Sequence, residues 1–281
     1  MTTHNRPFLL AEDLSAIGTM SLGAAIPIMS AMDVPTAILP TQVLSTQTEG
    51  FGEPVSQASV DWVSATLAHW QAQSVQLSGG LIGYIGREDL VRTLATALTT
   101  QRLPLLIVDP VMADDGALYP GLASTYVAAI RRLMALATVV TPNWTEAQLL
   151  TGQTVTGQPT ETQIQQQMNG LQSLTAPGTQ LVITGIPGTN QVKTACWDGQ
   201  LTVMTLPNQD GHFYGSGDVF SAILSGALVH HWSLTDAVTL AVNGIKQSLD
   251  QTSEVGYQRR FGMQLSRLLQ WLGPQMSQQD K

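Results

Sequence analysis

The sequence predicts an α/β fold in which a mostly parallel central sheet is flanked by helices on both faces, with an antiparallel hairpin at one edge. Short apolar runs alternate along the chain with longer segments of helical periodicity. Strand followed by helix, repeated, implies right-handed crossovers and a parallel sheet. Neither a low-complexity linker nor an internal repeat interrupts this order, so we expect residues 1–281 to form one domain.

The elements follow from these runs in order. The predicted strands are the short apolar runs at 8–11, 35–39, 75–78, 105–109, 138–141 and 180–184. The predicted helices are the longer periodic segments at 21–32, 60–71, 88–100, 126–137 and 160–174. Residues 192–197 and 201–206 flank Asp198-Gly199, a dipeptide typical of tight hairpins. From Gly217 onward we expect mostly helix.

The charge balance excludes several classes of partner. The net charge of −8 argues against nucleic acid and anionic membranes. None of the lysines (Lys193, Lys246 and Lys281) follows a glycine, so the P-loop signature is absent. Any phosphate must therefore be held by backbone N–H groups, a metal ion or arginine.

The compartment follows from the cysteine and from the first residues. Cys196 is the only cysteine, so no intrachain disulfide can form and a reducing compartment fits. The apolar run at 8–11 is too short for a signal peptide, and no segment reaches transmembrane length. We expect a cytoplasmic protein.

The segment Gly215-Ser216-Gly217-Asp218 precedes a small-residue apolar run that predicts a helix. Backbone N–H groups at such a helix start, together with the helix dipole, attract an anion. A carboxylate beside an anion site makes sense if Asp218 accepts a proton from a hydroxyl that attacks a bound phosphoryl group. The alternative is structural, because aspartate is also a favoured N-cap residue.

Two further groups of polar residues follow predicted strands, at the sheet edge where ligands bind in parallel folds. Asp109 ends one strand, and a carboxylate there can hold Mg²⁺ through water. Asn143 and Glu146 stand three residues apart at a helix start, where their side chains either face one ligand or form a capping box. The residues alone leave both alternatives open for this pair.

Taken together, these motifs resemble the ribokinase-like superfamily. The resemblance rests on Gly215-Ser216-Gly217-Asp218, Asp109-Pro110-Val111-Met112 and Thr141-Pro142-Asn143-Trp144-Thr145-Glu146. Within that superfamily the chain is most similar to the pyridoxal (vitamin B6) kinases. Asp13-Leu14-Ser15-Ala16-Ile17-Gly18 and the segment 43–50 resemble the substrate side of the bacterial branch. The match runs in order across almost the whole chain.

The resemblance implies ATP-dependent phosphorylation of the 5′-hydroxymethyl group of pyridoxal, pyridoxine or pyridoxamine. Asp218 would accept the hydroxyl proton, and the N–H groups of Gly215, Ser216 and Gly217 would hold the transferring phosphoryl group.

The implied ATP side comprises Asp109, Asp114, Tyr119, Asn143, Glu146 and Thr184. Asp109 and Glu146 would organise Mg²⁺, largely through water, and the family leaves a role for a monovalent cation such as K⁺ open. The implied substrate side comprises Asp13, Ser15, Thr48 and Gly80. Relatives are commonly dimers, which implies a homodimer.

Two departures from the family pattern concern the substrate. Asp13 occupies a position that is a serine in many pyridoxal kinases, and an aspartate there suits either a protonated pyridine or an aminopyrimidine. Gly80 stands where relatives often have a tyrosine that packs on the ring, and Tyr84 is a candidate to replace that wall. There are two competing hypotheses. The chain is either a hydroxymethylpyrimidine kinase of the same superfamily or a catalytically silent relative that binds the vitamer.

Overall fold

A computed structural model describes residues 6–256 and 258–277. In chain order its strands are β1 (Phe8–Ala11), β2 (Leu14–Ser15), β3 (Thr36–Ile38), β4 (Gln42–Leu44), β5 (Ser56–Ala58), β6 (Gly79–Ile82), β7 (Leu106–Val108), β8 (Ala113–Asp114), β9 (Ala117–Leu118), β10 (Val139–Val140), β11 (Gln180–Gly188), β12 (Gln191–Trp197) and β13 (Leu201–Pro207). Its helices are α1 (Leu22–Ala31), α2 (Val60–Ala72), α3 (Glu88–Thr100), α4 (Ser124–Met134), α5 (Trp144–Thr151), α6 (Glu161–Gln172), α7 (Ser216–Val229), α8 (Leu234–Glu254) and α9 (Ser266–Met276).

The main sheet has eight strands in the order β13-β12-β11-β10-β7-β6-β1-β3. All pairs from β3 to β11 are parallel, while β11, β12 and β13 pair antiparallel and form the edge hairpin. The predicted fold class and the predicted hairpin are therefore confirmed. Two small sheets, β2-β4-β5 and β8-β9, were not predicted because their strands have only two or three residues.

Helices cover both faces of the main sheet, as a parallel sheet requires. Successive residues of β1 point to opposite sides: Leu9 joins an apolar cluster under α3, α4 and α6, while Leu10 joins one under α1, α7 and α8. Burying these apolar faces on both sides holds the strand ends in register, and the polar residues that follow the strands are thereby fixed at one edge. In the part of the chain that the structure describes, no helix has the length and apolarity needed to cross a bilayer.

One predicted strand is wrong in position. The strand expected at 75–78 lies instead at Gly79–Ile82, because the glycine pair is part of the strand and not of a turn. A Cβ at Gly79 would lie 2.6 Å from the Leu105 carbonyl oxygen and 2.7 Å from the Phe8 ring. Glycine thus permits close packing inside the sheet, a use of this residue that local sequence signals do not reveal.

Candidate active site

A cavity of about 390 Å³ opens at the carboxyl edge of the main sheet. Most of the predicted site residues line it together: Asp13, Thr48, Asp109, Asp114, Tyr119, Asn143, Glu146, Thr184, Gly215, Ser216, Gly217 and Asp218. The parallel strands explain this convergence, since β1, β7 and β10 all end at that edge.

Gly80 lies outside the cavity, and its predicted contact with substrate is wrong. It pairs with Leu9 inside the main sheet, and a Cβ there would lie 2.9 Å from Leu103 and 3.1 Å from Leu9. The shift of β6 explains the error, because Gly80 is in the middle of the strand and not at its carboxyl end. Tyr84, four residues on, lines the cavity instead.

Ser15 also does not line the cavity but supports a residue that does. Its hydroxyl donates to Asp13 Oδ2 at 3.2 Å, and both side chains are buried. Burial raises the pKa of Asp13 to about 7, although the hydrogen bonds from Ser21 and Ser15 oppose this rise. Asp13 is therefore a carboxyl group of the cavity lining whose pKa lies near neutral pH.

Helix α7 begins in an open conformation. Gly215 is its N-cap residue, with φ of 83°, and no side chain caps the helix. A Cβ at Gly215 would meet the Thr19 carbonyl oxygen at 3.0 Å, so glycine is required both by the backbone angle and by the close approach. The first N–H groups of a helix have no acceptor within the helix. They lie here at the cavity wall, where they can receive an anion.

Asp218 is the third residue of α7 and not its N-cap, so the structural alternative for this aspartate is wrong. Its Oδ2 accepts a hydrogen bond from the Ser21 backbone N–H at 2.7 Å. Burial raises the pKa of Asp218, and this hydrogen bond partly offsets the rise. Ser21 has a φ of 44°, unusual for a residue other than glycine, which aims its N–H at the carboxylate.

Asp109 is held by Ser221, which lies one turn after Asp218 in α7. The Ser221 hydroxyl donates to Asp109 Oδ2 at 2.6 Å, and both groups are buried. Burial and the nearby Glu146 carboxylate raise the pKa of Asp109 well above its ordinary value. The cost of this buried charge is lowest when a cation lies beside it.

Helix α5 begins with a closed capping box, as one of the two alternatives for Asn143 and Glu146 predicted. Asn143 Oδ1 accepts from the Glu146 N–H at 2.9 Å, and Glu146 Oε2 accepts from the Asn143 N–H at 2.8 Å. The same side chains hold the β8–β9 hairpin, since Glu146 Oε1 accepts from the Met112 N–H at 2.8 Å and Asn143 Nδ2 donates to the Ala113 carbonyl at 2.7 Å. Burial raises the pKa of Glu146, and the backbone N–H groups oppose the rise.

The cavity is strongly acidic. Its described lining includes six carboxylates and neither lysine nor arginine, namely Asp13, Glu49, Asp109, Asp114, Glu146 and Asp218. Glu12 lies behind them with its buried Oε2 unpartnered, and burial and the charges of Asp218, Asp13 and Asp109 raise its pKa. A polyanion can enter such a cavity only together with cations.

The available ligands suit Mg²⁺, which binds oxygen atoms and keeps part of its water. Among the described residues no group of three His, Cys, Asp or Glu side chains is close enough to hold a metal ion by itself. A metal ion in this cavity would therefore need further oxygen ligands, such as water or nucleotide phosphates.

Sequence reasoning did not identify two positioning residues. Ser21 and Ser221 orient Asp218 and Asp109. A signal existed for Ser221, because it follows Asp218 by three residues and therefore lies on the same helical face. The role of Ser21 is played by its backbone N–H, so no side-chain pattern could have indicated it.

The chain is similar to known kinases in sequence and in fold. The chain matches the family model described as phosphomethylpyrimidine kinase over residues 22–262. The crystal structure of pyridoxal kinase from Lactobacillus plantarum is 34% identical and superposes on 98% of this chain and 99% of that chain, with a TM-score of 0.91.

Two curated relatives represent different kinases. A pyridoxine/pyridoxal/pyridoxamine kinase of Bordetella bronchiseptica is 28% identical over 254 residues, which is 85% of this chain and 87% of the relative. A hydroxymethylpyrimidine/phosphomethylpyrimidine kinase of Haemophilus influenzae is 30% identical over 189 residues, which is 64% of this chain and 68% of the relative.

Proposed function

Because this chain belongs to the phosphomethylpyrimidine kinase family of ribokinase-like enzymes, and is thus a kinase of the vitamin B6 or thiamine-precursor type, we propose that it phosphorylates B6 vitamers. The donor is ATP, and the acceptor is the 5′-hydroxymethyl group of pyridoxal, pyridoxine or pyridoxamine. The observation that carries the proposal is the half-buried Asp218 carboxylate beside the open N-terminus of α7, in the lining of the cavity.

In this mechanism the acceptor hydroxyl loses its proton to Asp218 while its oxygen forms a bond to the γ-phosphorus and the bond to ADP breaks. A raised pKa suits a general base, because a carboxylate with an ordinary pKa would be a weaker proton acceptor. The N–H groups of Gly215, Ser216 and Gly217 would hold the transferring group, whose charge is spread over its outer oxygens. The protein has little covalent chemistry to perform, so orienting the hydroxyl is its main contribution.

The nucleotide side of the site comprises Asp109, Asp114, Tyr119, Asn143, Glu146 and Thr184 in this proposal. Asp109 and Glu146 would hold Mg²⁺ through water, where the ion would neutralise phosphate charge. The capping box supports this role indirectly, since it anchors the hairpin that carries Asp114 and leads to Tyr119. A monovalent cation such as K⁺ is compatible with the remaining negative charge.

The substrate side comprises Asp13 and Thr48, with Tyr84 as a wall and Ser15 behind Asp13. Hydroxymethylpyrimidine is the second candidate acceptor, because a buried carboxyl such as Asp13 can bind an aminopyrimidine as well as a protonated pyridine. A catalytically silent vitamer-binding protein is the third candidate. It has least support, since binding alone does not require Asp218 at an open helix N-terminus.

A coupled ATP-turnover assay with the three B6 vitamers and hydroxymethylpyrimidine tests the proposal. We expect turnover with at least one vitamer at a kcat/KM above that for hydroxymethylpyrimidine. Faster turnover of hydroxymethylpyrimidine would establish the second candidate. Tight vitamer binding without turnover would establish the third.

We also propose that the chain acts as a single kinase domain in the cytoplasm and as a homodimer. The exposed apolar side chains Ile38, Val43, Val55 and Trp62, which include members of β3 and β4, support the dimer. Sedimentation at micromolar concentration tests it, and a monomer there would refute it.

A further inference from the structure

We propose that Glu49 makes the acceptor side of the cavity selective for a substrate with a protonated amino group, so that pyridoxamine is preferred over pyridoxine. The inference rests on the proposed function and deepens it, because it states the charge of the preferred acceptor. It concerns a residue that the proposed mechanism does not use.

Glu49 follows Thr48 directly in the connection between β4 and β5, and its side chain is half-buried. It lines the main cavity and also an adjoining hollow of about 280 Å³. The hollow is lined by residues of the β8–β9 region and by His212 and Tyr214 from the segment before α7. Glu49 thus lies where three loops meet around the cavity.

The other carboxylates of the lining already have hydrogen-bond donors. Asp13 accepts from Ser15, Asp109 from Ser221, and Asp218 from Ser21. Glu146 accepts from backbone N–H groups, and Asp114 Oδ1 accepts from the Asp115 N–H at 2.9 Å. Among the described residues no group donates a hydrogen bond to Glu49, so its carboxylate is the one left to a ligand.

The charges around Glu49 do not neutralise it. Burial raises its pKa, His212 opposes the rise, and Asp114 and Asp115 add to it. A half-desolvated carboxylate that faces two other carboxylates is stabilised by a bound cation. The described lining contains no lysine or arginine that could supply this cation.

Aromatic rings beside Glu49 favour an organic cation. The rings of His212 and Tyr214 lie 4.3 Å apart, and those of Tyr84 and Tyr119 lie 6.4 Å apart in an edge-to-face arrangement. Tyrosine faces attract ammonium groups. Glu49, Tyr119 and Asp218 all line the main cavity, so the two carboxylates border the same space. A substrate whose hydroxyl reaches Asp218 can therefore present an amine to Glu49.

A metal ion is the alternative occupant of this position. In the part of the chain that the structure describes, Glu49, Asp114, Asp115 and His212 do not form a group that could hold a metal ion by itself, so a metal here would need several water or phosphate ligands. An ammonium group needs only one carboxylate and offers three donors, which suits a lone carboxylate beside aromatic rings.

The test compares kcat/KM for pyridoxamine and pyridoxine in the wild type, Glu49→Gln and Glu49→Asp, at saturating ATP and Mg²⁺. Glu53→Gln is the matched control, since Glu53 lies in the same loop but is exposed and outside both cavities. We expect Glu49→Gln to lower the pyridoxamine to pyridoxine ratio about ten-fold, the size of a charge-assisted hydrogen bond. Glu49→Asp should retain part of the ratio, and Glu53→Gln all of it.

An unchanged ratio in Glu49→Gln overturns the inference, as does an equal loss with both acceptors. A raised KM for ATP or for Mg²⁺ with an unchanged ratio also overturns it, in favour of a metal. Calorimetry can also measure the affinities of wild type and Glu49→Gln for the two vitamers, and this measurement does not depend on turnover. If the wild type phosphorylates no vitamer, the proposed function fails, while the binding ratio still decides whether Glu49 selects an amine.

Discussion

Helices α5 and α7 both begin at the cavity, and in each an acidic residue follows the N-cap residue by three positions. The N-terminus of α5 is nevertheless capped by side chains, whereas that of α7 is not. In α5 the Asn143 and Glu146 side chains satisfy each other's backbone N–H groups. In α7 the N-cap residue is Gly215, which has no side chain to cap the helix, and Asp218 accepts instead from the Ser21 N–H. A closed N-terminus stabilises the local structure, whereas an open one leaves donors available for an anion.

The difference lies in what holds the acid at the third position. Glu146 accepts from the N-cap backbone of its own helix and also anchors the β8–β9 hairpin. Asp218 is held instead by the Ser21 N–H, outside its helix. The comparison can be tested at each end.

The largest effect is expected at Asp218. Asp218→Asn removes the proposed proton acceptor while preserving shape, so kcat should fall about 10²–10⁴-fold with little change in Tm. Asp236→Asn is the matched control, because Asp236 is the third residue of α8 and lies outside the cavity. Near-normal turnover in Asp218→Asn, measured by the coupled assay, would refute its role as general base.

The second prediction concerns the raised pKa of Asp13. The folded-state pKa of Asp13 is about 7 against an ordinary value of 3.8, so the folded protein retains a proton that the unfolded chain has lost. The retained proton stabilises the folded state by a free energy on the order of 4 kcal/mol. This stabilisation is complete below about pH 4 and is lost as the pH rises toward 7. The free energy of unfolding without ligand should therefore decline over this range.

Asp13→Asn isolates that effect. Urea unfolding at pH 5 and pH 8 should give a smaller decline in this variant than in the wild type. The same decline in both proteins would mean that Asp13 titrates normally in the folded state.

The third prediction tests the open backbone of α7. Gly215→Ala places a side chain at a φ of 83° and against the Thr19 carbonyl, so we expect a loss of about 1–2 kcal/mol in stability and a higher KM for ATP. Gly152→Ala is the control, because its φ is 70° but its added Cβ would meet nothing within 4 Å. If both variants raise the KM for ATP equally, backbone strain and not the phosphate site explains the effect.

The smallest effect is expected at the closed terminus. Glu146→Gln weakens the capping box and the hairpin anchor, with a cost of about 1 kcal/mol in unfolding free energy and a raised KM for ATP. Gln163→Ala in the capping box of α6, which lies outside the cavity, should reduce stability without changing the KM. An unchanged KM in Glu146→Gln would confine this residue to a structural role.

The sequence predicted the main features of the fold because they follow from local patterns. Strand-helix alternation and the Asp198-Gly199 turn were enough for the parallel sheet and its hairpin. The strand at Gly79–Ile82 was misplaced because glycine serves there in packing against Leu105, a contact between segments distant in sequence. The assignment of Gly80 to the substrate came from the resemblance to relatives that have a tyrosine at this position, and it did not take account of this packing.

Within the site, residues that lie in a motif are brought together by the structure, whereas features that depend on tertiary contacts were not predicted. Asp13, Asp109 and Asp218 lie in recognisable motifs, and all three line the cavity. Whether Asp218 would cap its helix depended on Ser21, nearly two hundred residues earlier in the chain. The unpaired state of Glu49 likewise depends on three loops that no single segment of sequence contains.

The cavity is lined by residues from Asp13 near the start of the chain to Leu249 in α8. No short fragment of the chain contains all of these lining residues. The contacts that hold the lining together join distant segments, as the hydrogen bond between Ser21 and Asp218 illustrates. Recovery of catalysis after dilution from denaturant should therefore coincide with the slowest refolding phase, because such long-range contacts form late. In a nascent chain, the full set of lining residues is available only after α8 has been synthesised.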